Sequence, residues 1–327
     1  MTVLVTGGAG YIGSHMVHEL RDHDRAVVVL DNLSTGFRDA IPDDVPFVNG
    51  DIGDRDLVSD IITRFNVTSI IHFAGSIVVP ESVTDPLGYY LNNTVKSRTL
   101  MAVAVDMGVK NFIFSSTAAV YGMSEANPVF EDAPLQPISP YGTSKMMTEL
   151  MLRDTSVAHD LQYVVLRYFN VAGADPKGRC GQSSPNATHL IKVANQVALG
   201  QREKLSIFGK DYPTEDGTCL RDYIHVTDLV KAHKLALDYL AAGGESQIMN
   251  CGYGKGYSVH EVVSMVRAVS DVSFVAEMAE RRQGDPAALV AGAQKIKDIL
   301  NWSPELADLE TIVRHAFEWE KYLNDRK

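Results

Sequence analysis

A doubly wound α/β fold, in which a parallel sheet is covered by helices on both faces and joined to a smaller α/β lobe, is what this sequence predicts. Three observations carry the prediction. Short β-branched runs alternate with helical stretches through the first half of the chain. A glycine-rich turn follows the first of those runs at once. The alternation then breaks after Phe169, where the chain has room to leave the sheet.

The strands are expected at Val3–Val5, Ala26–Leu30, Phe47–Val48, Ser69–Phe73, Asn111–Ser115 and Tyr163–Arg167. Helices are expected between them at Ile12–Arg21, Asp54–Phe65, Pro86–Met107 and Tyr141–His159. Right-handed crossovers then place the carboxyl ends of the strands along one edge, as a ligand crevice. Asn170–Pro185, rich in Gly, Pro, Ser and Asp, reads as loop. Beyond it, helices are expected at His189–Leu199, Val226–Leu240, Val259–Val269 and Leu309–Leu323, with short strands at Leu205–Phe208 and Gln247–Asn250. This divides the chain into a sheet domain, 1–169, and a second lobe, 170–327, with some exchange of chain between them and a cleft at their junction.

At 327 residues and 45% hydrophobic content the chain can bury a full core. Its 30 basic and 41 acidic side chains leave a formal charge of -11, which argues against a general nucleic-acid surface or a polybasic membrane contact. Thr2–Thr6 reads directly as strand, with no export signal, and no apolar run is long enough to cross a bilayer. Cys180, Cys219 and Cys251 are far apart and lack metal or redox spacing. A cytoplasmic protein without a metal site is the expectation, since the ten histidines also form no HExxH-like cluster.

The glycine turn reads Thr6-Gly7-Gly8-Ala9-Gly10-Tyr11-Ile12-Gly13, so Gly7, Gly10 and Gly13 sit at a strand-to-helix junction. Glycine there lets backbone N–H groups approach a pyrophosphate at a helix N-terminus. The second strand ends at Asp31, whose carboxylate can accept hydrogen bonds from a ribose diol and repels a 2′-phosphate, favouring NAD over NADP. A lone glycine triplet is weak evidence, but strand, triplet and following acid together define a Rossmann-like dinucleotide site. Asp51 and Ile52, after the third strand, are placed to flank the adenine, although an acidic loop residue there is as often simply solvated. Phe73-Ala74-Gly75 closes the fourth strand with small residues that leave space for the cofactor or serve packing alone.

Tyr141-Gly142-Thr143-Ser144-Lys145 opens a helical stretch and puts Tyr141 and Lys145 on one face. Moving a tyrosine from its usual value to about 7 takes roughly 4 kcal/mol of preferential stabilisation of the phenolate, part of which a nearby ammonium supplies. Upstream, Ser115-Ser116-Thr117 gives the fifth strand a hydroxyl-bearing end.

With TGGAGYIGSH at Thr6–His15, LDNLS at Leu30–Ser34, HFAG at His72–Gly75, FSSTAAVYG at Phe114–Gly122, SPYGTSK at Ser139–Lys145, LRYFN at Leu166–Asn170, DYPTEDGTCLRDYIHV at Asp211–Val226 and RRQGDP at Arg281–Pro286, the chain resembles the extended short-chain dehydrogenase/reductases. Within them it is similar to the UDP-glucose 4-epimerases over essentially its whole length. The resemblance implies that Tyr141 is the base, Lys145 its electrostatic helper, and Thr117 the family's Ser or Thr. It implies a tightly bound NAD contacted by Gly7, Gly10, Tyr11, Ile12, Gly13, Asp31, Asn32, Asp51, Ile52, Phe73, Ala74, Gly75, Asn92, Ser115, Tyr141, Lys145 and Tyr168. A UDP-hexose is expected against Thr117, Tyr141, Phe169, Asn170, His189, Leu190, Ser206, Phe208, Arg221, Arg282, Asp285 and Leu289. The implied reaction oxidises the sugar at C4 to a 4-keto sugar, rotates it, and returns hydride to the opposite face. A homodimer through Pro86–Met107 and Tyr141–His159 is expected on the same ground.

Two positions depart from the family pattern. Where many epimerases carry a lysine near the cofactor diphosphate, this chain reads Ser76-Ile77-Val78. Where some have a tyrosine that narrows the sugar pocket it has Leu289, which leaves room for N-acetylhexosamines. A nucleotide-sugar 4,6-dehydratase is disfavoured because Ala118 and Ala119 stand where such enzymes place acids. A non-catalytic NAD-sensing protein is disfavoured because Tyr141, Lys145 and Thr117 are all present, while epimerases of UDP-pentoses or uronic acids are closer rivals.

Overall fold

A computed structural model describes residues 1–184, 187–282 and 284–326 of the chain. In chain order the elements are β1 Thr2–Thr6, α1 Tyr11–Asp22, β2 Ala26–Asp31, β3 Phe47–Asn49, α2 Arg55–Phe65, β4 Val67–His72, α3 Val79–Thr84, α4 Pro86–Tyr89, a π-helical segment Tyr90–Val95 and α5 Lys96–Asp106. They continue with β5 Asn111–Thr117, α6 Pro140–Ala158, β6 Gln162–Tyr168, β7 Asn170–Ala172, α7 Leu190–Ala198, β8 Leu205–Phe208, β9 Leu220–His225 and α8 Val226–Ala241. The last are β10 Gln247–Cys251, β11 Gly256–Ser258, α9 Val259–Ser270, β12 Ala276–Ala279, β13 Ala288–Leu289, α10 Gln294–Leu300 and α11 Leu309–Asp325.

Seven parallel strands form the main sheet in the order β10-β6-β5-β4-β1-β2-β3. The strand order reverses at β1, the place where a doubly wound sheet opens a ligand crevice. Both faces are buried, and the two-residue strand period divides the core between them. Val3, Val5, Val27, Val29, Ile71, Ile113 and Val164 face one cluster, which includes α1 and α8. Leu4, Val28, Leu30, Ile70, Phe112 and Val165 face the other, which includes α2 and α5. The second lobe has its own core, where Ile191, Val197, Val262, Val266, Ile312 and Val313 of α7, α9 and α11 pack together.

Three expectations are corrected. The strand expected at Gln247–Asn250 in the second lobe is β10 and pairs with β6, so the large sheet is completed by chain from the second half. Asn170–Pro185 is not all loop, because β7 pairs in parallel with β9; Pro185 itself lies outside the described residues. The helix expected without interruption over Pro86–Met107 is α4, then the π-helical segment, then α5. A π turn leaves a carbonyl without its usual partner and tends to occur near functional sites. Here the carbonyl of Asn93, within the π-helical segment, accepts from the Thr148 hydroxyl of α6 at 3.1 Å. The Asn93 side chain, buried, accepts from the Ser76 N–H at 2.7 Å and donates to the Ser76 carbonyl at 2.9 Å and to Ser144 Oγ at 3.0 Å. The widened turn therefore ties the bend after β4 to the helix that carries Tyr141.

Candidate active site

The turn after β1 is built on contacts that leave no room for a side chain. Gly7 has a positive φ, and a Cβ on it would lie 2.6 Å from the Ala74 nitrogen. A Cβ on Gly13 would lie 2.1 Å from the Gly7 carbonyl oxygen, which is why α1 can start so close to the sheet. Gly10 is the N-cap of α1 and makes no side-chain cap, so the first-turn N–H groups at Tyr11, Ile12 and Gly13 are left for a ligand anion. Asp31, at the end of β2, accepts from the Ala9 N–H at 2.9 Å and the Leu33 N–H at 2.8 Å. These bonds orient its carboxylate beside the glycine turn, so the residues fit the diphosphate and ribose of a dinucleotide.

Around this cradle the other expected cofactor residues take definite places. Asp51 accepts from Lys96 Nζ at 2.5 Å and from the Gly53 N–H at 2.8 Å, and both bonds, with one from Asn32, hold its carboxyl below the ordinary aspartate value against the opposing effect of burial. Ile52 is part of the core against α2. Phe73 and Ala74 back directly onto Gly7, and the Phe73 ring lies 4.9 Å from that of His233. Tyr11 donates to the Gly173 carbonyl at 2.7 Å, which ties the start of α1 to the chain after β7. The Ser115 hydroxyl lies 3.4 Å from His233 Nε2 and is bonded to Tyr168. Near the missing lysine, Ile77 is half exposed and Asn92 Nδ2 donates to Ser76 Oγ at 2.9 Å.

Tyr141 and Lys145 lie one helical turn apart in the first two turns of α6, where the N-cap Ser139 side chain accepts from the Gly142 N–H and Pro140 fixes the first position. Both are buried, with 7% and 3% exposure. Burial pushes the Tyr141 phenol up, while a hydrogen bond with the Thr117 hydroxyl at the end of β5 pulls it back. Lys145 Nζ donates to the Ser115 carbonyl at 3.0 Å and lies 4.9 Å above the Phe114 ring. Burial brings this ammonium down to about 8, opposed by Glu149. Below that value it stays charged, so at neutral pH it is a cation in a dry site.

The residues expected at the substrate fall into three places. Asn170 on β7, His189 and Leu190 line a small cavity with Lys192, Tyr223 and Glu320, and Gln182 bonds His189 Nδ1 at 2.7 Å. Ser206 and Phe208 alternate with the buried Leu205 and Ile207 on β8 and so share its outer face, where the Arg282 guanidinium sits 4.0 Å above the Phe208 ring. Arg221 on β9 is ion-paired with Asp285 and donates to the Leu220 carbonyl at 2.7 Å, while Leu289 on β13 stands opposite Arg221 in the strand register. Phe169 is drawn into the core at 7% exposure. The sequence reading missed Asn93, Lys96 and Phe114. Of these, Phe114 lay within the FSSTAAVYG motif, and Asn93 and Lys96 gave no sign in the sequence of their place.

A doubly wound dinucleotide fold with a buried Tyr–Lys pair and a strand-end hydroxyl defines a nicotinamide-dependent enzyme of the short-chain dehydrogenase/reductase class. Residues 3–252 match the NAD dependent epimerase/dehydratase family. The UDP-glucose 4-epimerase of Azospirillum brasilense is 57% identical over 98% of this chain and 92% of its own length. Among solved structures, the UDP-glucose 4-epimerase from Bifidobacterium longum in complex with NAD+ and UDP superposes with a TM-score of 0.93 at 36% identity, covering 99% of both chains. The UDP-Glc/GlcNAc 4-epimerase from Campylobacter jejuni gives 0.87 at 48% identity, covering 98% of this chain and 99% of that one. The chain belongs to the NAD dependent epimerase/dehydratase family, and within it to the UDP-glucose 4-epimerases.

Proposed function

We propose that this protein interconverts UDP-glucose and UDP-galactose by transient oxidation at C4. The observation that carries the reading is the meeting of Tyr141, Thr117 and Lys145 in a dry site beside the glycine turn and Asp31. NAD, which the glycine turn and Asp31 would hold, would supply a hydride acceptor that later serves as donor, so that the sugar would pass through a 4-keto form and be reduced on the opposite face after turning over. Tyr141 takes the proton of the 4-hydroxyl at its phenolic oxygen and gives it back on the return step. Thr117 orients that oxygen and stabilises its anionic form by hydrogen bonding. The buried ammonium of Lys145 supplies positive charge where the low dielectric makes it effective. Because no net oxidation would occur, bound NAD would not need to exchange between turnovers.

Rotation of the sugar requires that the hexose be held loosely while the nucleotide is held firmly, so that binding energy remote from C4 anchors the substrate. Arg221, Asn170 and the Arg282–Phe208 platform are the groups for this grip. Leu289, half-buried opposite Arg221, favours a second reading in which the pocket also admits UDP-N-acetylhexosamines.

We further place the protein in the cytoplasm as a homodimer with no nucleic-acid or membrane partner. Its three cysteines are free thiols, and among the described residues no helix is long and apolar enough to cross a membrane. Leu87, Leu91, Val95, Met147 and Leu150 are exposed apolar residues on the two helical stretches expected at the dimer contact, and pairing of two copies would cover them.

Tyr141→Phe is expected to lower kcat for UDP-galactose by about 10²–10⁴-fold with NAD still bound, read in a coupled UDP-glucose dehydrogenase assay; near-normal turnover removes the proposed base. UDP-N-acetylglucosamine turnover is expected, with Leu289→Tyr reducing its kcat/KM by about tenfold or more while sparing UDP-glucose. If the unaltered chain converts only the plain hexose, the wider pocket is ruled out. Sedimentation equilibrium is expected to give twice the chain mass, and Leu91→Arg to give monomer; a monomeric unaltered protein contradicts the pairing.

A further inference from the structure

Tyr141, Lys145 and Glu149 recur every four residues along α6, so three functional groups share one face of the helix. Glu149 is 2% exposed and is fully engaged. Its Oε1 accepts from Ser116 Oγ at 2.5 Å, and its two oxygens take Arg167 Nε at 3.1 Å each and Arg167 Nη2 at 2.6 Å. Ser116 is the residue before Thr117 on β5, and Arg167 is the residue before Tyr168 on β6. The two stand side by side in the register, as Ser116↔Arg167, with Thr117↔Tyr168 at the next step. One carboxylate thus fastens the catalytic helix to both strands one residue short of their working ends.

Arg167 extends the network away from the cleft. Its Nη1 donates to the Tyr121 hydroxyl at 3.0 Å and to the Glu131 carbonyl at 3.3 Å, and Tyr121 donates to Asn250 Oδ1 at 2.6 Å. Asn250 lies on β10, so the clamp reaches from α6 to the outermost strand of the sheet. The mechanism above uses neither Glu149 nor Arg167, yet a buried pair of this kind carries a desolvation cost that a well-packed apolar pair would avoid.

We propose that Glu149 is a positioning residue for the reaction: with Arg167 and Ser116 it sets the spacing between Tyr141 and Lys145 on the helix and Thr117 on the strand. Its carboxylate also lies one turn from the Lys145 ammonium and favours its charged form. The proposal rests on the epimerase reading. It differs from a stabilising role in one respect, because geometry at the phenol should fail even where the fold does not.

The test compares the NAD-loaded unaltered protein with Glu149→Gln and with the double variant Glu149→Met/Arg167→Met, which replaces the buried pair by apolar side chains of similar reach. For each, kcat and KM for UDP-galactose, bound NAD content and Tm are measured. The expected result is a kcat lower by about 30-fold or more in both variants, with KM within threefold and NAD content unchanged, and with the double variant close to the unaltered protein in Tm. If Glu149→Gln does not fold, the double variant decides. A double variant that keeps its Tm and turns over at the unaltered rate overturns the proposal, as does a loss of rate explained wholly by lost NAD or lost fold. Absence of epimerisation by the unaltered protein would instead sink the functional reading, and this inference with it.

Discussion

The environment of Tyr141 opposes the ionisation that the proposed role as base requires. Burial alone pushes the phenol up, because a phenolate loses more hydration than a phenol on leaving water. The same dryness strengthens every charge and dipole aimed at the oxygen. The fold places Thr117 in hydrogen-bonding reach and Lys145 one helical turn away, fixed by the Ser115 carbonyl and the Phe114 ring. The rest of the site serves this balance, since a side chain too solvated would lose the effect of the cation and one too isolated would never lose its proton.

The sheet supplies the rigidity. β5 brings Thr117 and β6 brings Tyr168 to the same edge, in register, and α6 lies across them. The glycine turn after β1 and Asp31 after β2 open onto the edge where the strand order reverses. The second lobe adds the Arg282–Phe208 platform and the Arg221–Asp285 pair from β8, β9 and the segment before β13. Firm contacts at the nucleotide and few at the hexose are what an epimerase needs, because its sugar must present both faces in turn. A dehydratase would instead need an acid beside Thr117, and Ala118 and Ala119 provide none.

What could be read from the sequence was what depends on neighbours in sequence. The glycine turn and the Tyr141–Lys145 pair lie within eight residues or fewer, and the strands β1, β2, β4 and β5 are long enough for their burial to show as β-branched runs. Where the chain meets itself at long range the letters were silent. β10 reads like any short strand, and only its pairing with β6 reveals that the sheet borrows it. β7, β11 and β13 are three residues or fewer, too short to display a period of two. The π-helical segment has no compositional mark, and the contacts that go with it, of Asn93 with Ser76 and with Thr148 55 residues away, join distant parts of the chain. Arg221 and Asp285, 64 residues apart, were each proposed as ligand contacts, but their ion pair needed the fold to be seen.

The proposed chemistry requires that the positive charge around Tyr141 outweigh its burial once NAD is bound. Its most direct test is the tyrosinate absorbance of the NAD-loaded protein followed against pH, with the curve for Tyr141→Phe subtracted to isolate one phenol. That requirement predicts a midpoint well below the ordinary tyrosine value. A midpoint at or above the ordinary tyrosine value of about 10 would contradict it.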